Sequence, residues 1–149
     1  WYVLLRLHPQ LAARMERLKI HQMSDRLIDV SQRADMNEII AASDAFLTDY
    51  SSAIFEAGLT GIPSFLYADD LQAYIADRGD LFFDMYKLPF PVASNNNELV
   101  RCIEQFDGQK YQQKIEAFQK ETGIFEDGRA SMRVADLIEK KRSEFMAPG

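Results

Sequence analysis

The sequence contains a single cysteine, so no disulfide bond can form within the chain. This scarcity fits a reducing compartment such as the cytoplasm. The spacing of Cys102 with Leu99, Ile103 and Phe106 is helical, which favours a place in the core over a role as a nucleophile. Histidine and cysteine nowhere cluster at the spacing of metal ligands, and we therefore expect no structural zinc, no other metal and no cofactor.

Basic residues are in the minority: 17 Lys and Arg stand against 23 Asp and Glu, which gives a formal net charge of −6. Because a nucleic-acid-binding surface normally needs a basic stripe, we expect no nucleic-acid partner. Apolar runs of membrane-spanning length are missing, and no signal peptide is visible. The chain opens on Trp1, without an initiator methionine, and we expect it to be a piece of a longer protein.

Glycine-rich nucleotide motifs are absent as well. Neither G-x-G-x-x-G nor the Walker pattern occurs, which disfavours a standard dinucleotide-binding fold and a P-loop. The chain does have 47% hydrophobic residues mixed with charges of both signs, the composition of a globular protein. Its 149 residues can bury a sizeable core, so we expect a single domain over residues 1–149.

Short apolar runs alternate with stretches of helical periodicity, and this alternation predicts an α/β fold with a parallel sheet flanked by helices. The predicted strands are Trp1–Leu7, which should be a buried interior strand, Leu27–Val30, Ala45–Leu47 and Ser64–Tyr67. The predicted helices cover 10–20, 36–42, 53–59, 71–78, 98–106, 110–120 and 130–145, and 82–91 should be an ordered loop. In the last helix, five apolar residues should pack on the sheet: Met132, Val134, Ala135, Leu137 and Ile138.

The segment AFLTDYSSAIFEAGLTGIP, residues 45–63, is typical of a strand, a turn and a helix that ends at Gly61. Ser51 and Ser52 fall at the start of this helix, where backbone N–H groups lack partners and the helix dipole favours an anion. Ligands of open parallel sheets bind at this edge, so a phosphate or diphosphate is the natural guest. Asp49, Ser51 or Ser52 could instead serve only as helix caps, which is the commoner role of such residues.

Other polar residues should lie at the same edge of the sheet, because the carboxyl ends of parallel strands meet there. We expect one crevice to gather the residues that follow three different strands: Arg6 and His8, Ser31 and Gln32, and Ser51 and Ser52. His8 could instead satisfy only a local backbone bond. Glu56, one turn into the helix after Ser52, is either a solvated carboxylate or a ligand of the two hydroxyls of a ribose.

Three segments, RLHP, DMNEIIAASDAFLTDYSSAIFEAGLTGIP and EDGRASMRV, resemble the CDP-glycerol glycerophosphotransferase family, whose members build teichoic-acid and capsule polymers. The resemblance runs over nearly the whole chain. It implies a Rossmann-like α/β fold, the C-terminal, nucleotide-binding half of a GT-B transferase, truncated at its N-terminal edge. It also implies an N-terminal domain, missing here, that carries a second functional histidine.

The resemblance implies a role for each matching residue. His8 resembles the catalytic histidine at the donor diphosphate, and Ser51 and Ser52 match the hydroxyl turn that binds this diphosphate. Glu56 aligns with the acidic ribose contact, where the family often has Asp. The remaining matches are Ser31 and Gln32, near the base, and Arg129 and Ser131, at the diphosphate, where the family often has Lys in place of Arg129.

The function implied by the resemblance is transfer of glycerol phosphate from CDP-glycerol, or a related donor, to a hydroxyl of a polymer or lipid-linked acceptor, with release of CMP. The enzyme would be cytoplasmic and peripheral at the inner face of the plasma membrane, and the isolated chain would bind donor weakly without turning it over. Two alternatives remain: the nucleotide-sugar-binding half of a GT-B glycosyltransferase, and a non-catalytic α/β module in which Ser51 and Ser52 only cap a helix.

Overall fold

The structure is a computed structural model that describes residues 1–8, 11–12, 24–33 and 35–146. It divides into two compact units, Trp1–Ala42 and Ser43–Gly149. Most of the helix predicted over 10–20 lies outside the described residues, although Leu11 and Ala12 are helical. The single domain predicted over 1–149 stays a prediction.

The first unit contains a two-stranded parallel sheet, formed by β1 (Val3–Leu5) and β2 (Leu27–Asp29). Helix α1 (Met36–Ala41) follows, and the carboxylate of Asp35 accepts a hydrogen bond from the backbone N–H of Asn37 at its start. Ile40 is the buried residue of this helix.

The burial expected for β1 is not observed. Val3 and Leu4 are 55% and 38% exposed, and among the described residues β1 pairs with β2 alone. An unbroken apolar run is typical of an interior strand. Burial, however, depends on the neighbouring strands, and the run itself carries no information about them.

The second unit alternates strands and helices from residue 46 onward. Its elements are β3 (Phe46–Thr48), α2 (Ala53–Thr60), β4 (Ser64–Tyr67), α3 (Leu71–Arg78), a 3₁₀ turn (Met85–Lys87), β5 (Val92–Ala93), α4 (Asn96–Glu104), α5 (Gly108–Thr122) and α6 (Ala130–Met146). Strands β3, β4 and β5 form a parallel sheet in that order. The predicted α/β class with parallel strands and flanking helices is therefore confirmed.

The core of the second unit forms around β4, where Ser64, Phe65 and Leu66 are all buried because strands pair on both sides. Helix α2 packs on this sheet through Ile54 and Ala57, which are 2% and 0% exposed. Partners from later in the chain complete the core: Ala68, Met85, Phe90, Ala93, Tyr111 and Ile115. Helix α2 is thus fixed firmly, and with it the turn that precedes it.

One strand of the second unit was not predicted, and one prediction needs correction. Strand β5 lies just after the segment 82–91 that we expected to be an ordered loop, and its two residues are too few to show periodicity. The final helix has the expected bounds to within one residue, but its apolar residues do not pack on the sheet. Met132, Val134, Leu137 and Ile138 are 56–63% exposed, and Ala135 is exposed as well.

Candidate functional site

The turn from β3 into α2 places Ser51 and Ser52 at a helix N-terminus that follows the carboxyl end of a parallel strand. This confirms the predicted position of the two serines. The hydroxyl oxygen of Ser51 accepts a long hydrogen bond, 3.3 Å, from the backbone N–H of Ala53. Ser52 occupies the N-cap position but makes no side-chain capping bond, and its side chain is exposed. Ser51 is therefore a weak cap. The Ser52 hydroxyl makes no capping bond that a ligand would have to replace.

Three other helix starts in the described part of the chain are capped by shorter bonds. Asp35, Asn95 and Asp107 accept from backbone N–H groups at 2.8, 3.0 and 3.0 Å. Two of these caps are carboxylates, which already place a negative charge at their helix N-termini. The N-cap of α2 carries no such anion, and the N–H groups of Ala53, Ile54 and Phe55 donate to Ser51 and Ser52 within the turn. The helix dipole at this start still favours an external anion.

A cavity of about 150 Å³ opens beside this turn. Asp49, Ser51 and Ser52 form its polar edge. Its apolar wall consists of Ile54, Phe55, Leu66, Leu81, Phe82, Phe83, Met85 and Leu88, and Tyr50 also lines it. The predicted turn therefore borders a concave site in which a polar group can meet the serines while an apolar one contacts the wall.

Tyr50 and Asp70 are functional candidates that sequence reasoning missed. The phenol of Tyr50 donates a hydrogen bond of 2.5 Å to Oδ1 of Asp70, and its ring stacks on Tyr74 at 3.8 Å between centroids. Burial raises the pKa of Tyr50 well above its usual range; the bond to Asp70 and the charges of Asp70, Asp69 and Asp49 raise it further. Tyr50 consequently stays protonated and remains a donor. No sequence signal links residues twenty positions apart.

Glu56, Arg129 and Ser131 belong to the same unit as the turn, but none of them lines the cavity beside it. Glu56 is exposed in the first turn of α2. The backbone N–H of Arg129 donates to Oδ1 of Asp127 at 2.9 Å, and Ser131 lies exposed in the first turn of α6. Their contacts with a ribose or a diphosphate stay predictions.

In the first unit, the end of β1 and the loop after β2 come together as predicted. The backbone N–H of Leu7 donates to the Ser31 hydroxyl at 3.0 Å, so this hydroxyl already has a structural partner. Gln32 and His8 are exposed, and the carbonyl oxygen of His8 accepts from the backbone N–H groups of Leu11 and Ala12. The gathering of these residues with Ser51 and Ser52 stays a prediction, as do the roles of Ser31 and Gln32 near a base.

The second unit thus has a Rossmann-like parallel α/β arrangement, with two serines at a helix start that follows the carboxyl end of a strand. A family model described as CDP-glycerol:poly(glycerophosphate) glycerophosphotransferase matches residues 1–140. The chain belongs to this family, as its motifs predict.

Curated relatives of this chain act in teichoic-acid synthesis. The chain is 33% identical to a teichoic acid ribitol-phosphate primase of Bacillus spizizenii, over 100% of this chain and 36% of the relative. It is 32% identical to a teichoic acid glycerol-phosphate transferase of Staphylococcus aureus, over 94% of this chain and 36% of the relative. The chain thus spans about a third of the length of these relatives.

Among solved structures, the wall teichoic acid polymerase TagF superposes with a TM-score of 0.73 at 32% identity, over 99% of this chain and 36% of that chain. A TagF variant soaked with CDPG gives a TM-score of 0.73 at 29% identity, with the same coverage. The predicted GT-B-type α/β fold is confirmed by this likeness. In the described part of the chain, no helix has both the length and the apolar character that crossing a bilayer requires.

Proposed function

We propose that this chain is the donor-binding half of a glycerophosphotransferase that uses CDP-glycerol or a closely related CDP-polyol. The observation that carries the proposal is the start of α2. The exposed Ser52 hydroxyl stands there at a helix N-terminus beside a cavity, without the carboxylate or amide cap seen at Asp35, Asn95 and Asp107. Such a helix start suits a diphosphate. Membership of the family supports the assignment of the donor class.

In the proposed reaction, an acceptor hydroxyl attacks the phosphorus that carries glycerol. A new P–O bond forms to the acceptor, the P–O bond to CMP breaks, and CMP leaves with the bonding electrons. The acceptor proton passes to a general base that lies outside this chain. Phosphoryl transfer of this kind depends mainly on positioning and on stabilising charge, so a half that only holds the donor contributes substantially.

The proposed roles of individual residues follow this chemistry. Ser51 and Ser52 bind the diphosphate together with the helix start, and His8 stabilises charge that develops on the departing CMP. Glu56 binds the ribose hydroxyls. The remaining roles are those of Arg129 and Ser131 at the diphosphate and of Ser31 and Gln32 near the base.

A ribitol-phosphate donor is a second candidate. The chain is about equally similar to a ribitol-phosphate primase, at 33% identity, and to a glycerol-phosphate transferase, at 32%. Both donors share the CDP part, so the helix start and the proposed ribose contact would serve either one. The polyol alone distinguishes the two candidates.

The proposed acceptor is a teichoic-acid-like polymer or a lipid-linked precursor. We further propose a cytoplasmic enzyme that works peripherally at the inner face of the plasma membrane. A missing N-terminal domain of the same protein is the proposed source of the membrane contact and of the general base. The isolated chain is accordingly expected to bind the donor without turning it over.

Calorimetric or NMR titration of the 149-residue chain with CDP, CMP and UDP tests the proposal. We expect CDP to bind more tightly than CMP, because it carries the second phosphate, and more tightly than UDP, because of its base. Ser52→Ala should weaken CDP binding, whereas Ser143→Ala, an exposed serine on α6, should leave it unchanged. Preference for UDP would favour the glycosyltransferase alternative, and no binding of any nucleotide at millimolar concentration would favour a non-catalytic module.

A further inference from the structure

The turn before α2 is fastened to the start of α3 by one side chain. The Tyr50 phenol donates to Asp70 Oδ1 at 2.5 Å, and the ring of Tyr50 stacks on Tyr74 with centroids 3.8 Å apart and planes 22° apart. Asp70 is the N-cap residue of α3, and Tyr74 lies one turn further on. Tyr50 therefore contacts two residues of α3 at once, one through a hydrogen bond and one through its ring.

Asp70 bonds to Tyr50 and does not cap its own helix. Its side chain makes no capping hydrogen bond in α3, although Asp35 and Asp107 at equivalent positions both cap their helices. The Asp70 carboxylate accepts from a residue of another turn instead. Aspartate at an N-cap normally bonds its own helix. This arrangement therefore indicates that the Asp70 carboxylate holds Tyr50 instead of capping α3.

The position of Tyr50 shows which part of the backbone this contact affects. It lies between Asp49 and Ser51, inside the short turn that joins β3 to α2, and all three line the cavity beside α2. Strands β3 and β4 are neighbours in the sheet, so the turns that follow them lie side by side. A bond from one turn to the next restricts the path of the backbone that leads into Ser51 and Ser52.

We propose that Tyr50 is a positioning residue, which holds the turn over residues 49–52 in the shape that presents the start of α2 to a nucleotide diphosphate. This inference rests on the proposed function for its ligand. Tyr50 acts through the backbone of Ser51 and Ser52, so it need not touch the diphosphate. The hydrogen bond from the Tyr50 hydroxyl to Asp70 is the contact that fixes the turn.

Asp70 brings a negative charge close to a site proposed for an anion. Substitutions at Asp70 can therefore distinguish the effect of its hydrogen bond from the effect of its charge. Asp70→Asn keeps an oxygen that accepts from the Tyr50 phenol but removes the charge. If Asp70 serves to hold Tyr50, the asparagine variant should bind a diphosphate as tightly as the wild type or more tightly. Asp70→Ala, which removes the acceptor as well, should behave like Tyr50→Phe.

The test compares four variants of the 149-residue chain with the wild type: Tyr50→Phe, Asp70→Asn, Asp70→Ala and the matched control Tyr67→Phe. Tyr67, at the end of the neighbouring strand β4, is a suitable control because its phenol also donates a hydrogen bond to a side chain. The acceptor is Oδ1 of Asn96, at 3.0 Å, which lies outside this turn. Amide hydrogen exchange over residues 49–53 is measured without ligand. The dissociation constant for CDP is then measured by titration, after unfolding curves confirm that each variant is folded.

We expect Tyr50→Phe and Asp70→Ala to accelerate exchange in this turn and to weaken CDP binding about 3- to 10-fold, the effect of losing one hydrogen bond. Tyr67→Phe and Asp70→Asn should do neither. Unchanged exchange in Tyr50→Phe, or equal weakening by Tyr67→Phe, would overturn the inference. If the wild type binds no CDP, the proposed function fails, while the exchange data still decide whether Tyr50 positions the turn.

Discussion

Gly58 of α2 lies against the ring of Phe90 so closely that a Cβ added at Gly58 would come within 3.1 Å of Cε1 and Cζ of that ring. Phe90 is itself buried, 4% exposed, and packs edge-on against Phe55. The absence of a side chain at Gly58 therefore sets how closely α2 approaches the core. The helix whose start forms the candidate site is held in place by this contact.

Gly58→Ala should consequently destabilise the protein, although alanine is the better helix former by about 1 kcal/mol. The new methyl group requires the buried ring of Phe90 to give by a few tenths of an ångström, and overpacking of this kind typically costs about 1–3 kcal/mol, so we expect a net loss of unfolding free energy. Denaturant unfolding measures it. Gly108→Ala at the start of α5 is the control, because its Cβ would meet Phe106 at an ordinary 3.9 Å. A Gly58→Ala variant as stable as Gly108→Ala would contradict this packing.

The exposure of α6 leads to a second prediction. Leu137 is 56% exposed, so Leu137→Gln should change the unfolding free energy by about 0.5 kcal/mol or less. Ile115 on α5 is 3% exposed, and Ile115→Ala should cost about 2–5 kcal/mol because it leaves a cavity in the core. Both values come from denaturant unfolding of the 149-residue chain. A cost above about 1 kcal/mol for Leu137→Gln would mean that α6 packs on the rest of the chain in solution.

The elements that the sequence predicted well are those in which local and tertiary signals agree. Strand β4 has the predicted bounds, Ser64–Tyr67, because Pro63 precedes its apolar run and paired strands bury it on both sides. Helix α2 ends as expected at Gly61, whose φ of 75° places it in the left-handed region that favours glycine. The predicted position of Ser51 and Ser52 followed from these two signals.

The missed features depend on contacts that no local pattern contains. The apolar face of α6 looks like any helix face that packs on a sheet, yet a pattern cannot say whether a surface is available to cover it. Strand β5 exists because β4 offers it an edge, not because Val92 and Ala93 form a recognisable run. The bond between Tyr50 and Asp70 likewise joins separate turns that only the fold brings together.

Glu56 should affect nucleotide binding through the ribose and leave stability almost unchanged. It is exposed, so Glu56→Gln should alter the unfolding free energy by about 0.5 kcal/mol or less. We expect Glu56→Gln to weaken binding of CDP, but not of 2′,3′-dideoxy-CDP, which lacks the two hydroxyls. Titration with both nucleotides makes the comparison, and Glu104→Gln, an exposed residue at the end of α4, is the control. Equal weakening for both nucleotides would rule out a ribose contact.

His8 follows β1. Its backbone carbonyl oxygen accepts hydrogen bonds from the N–H groups of Leu11 and Ala12, at 2.8 and 2.9 Å. His8→Ala keeps this carbonyl and removes an imidazole that is exposed. We therefore expect little change in melting temperature. If the imidazole donates to a phosphate oxygen whose charge grows as CMP leaves, turnover should fall about 100- to 1000-fold, or roughly 3–4 kcal/mol.

The measurement for His8→Ala is paired: melting temperature and turnover of CDP-glycerol in the full-length protein, each compared with the wild type. His8→Gln is the informative companion, because its side-chain amide can still donate a hydrogen bond but cannot carry a positive charge. We expect partial recovery of turnover in His8→Gln if donation alone matters, and none if the charged imidazole is needed. A lower melting temperature with near-normal turnover per folded molecule would show that His8 serves packing and does not contact the phosphate.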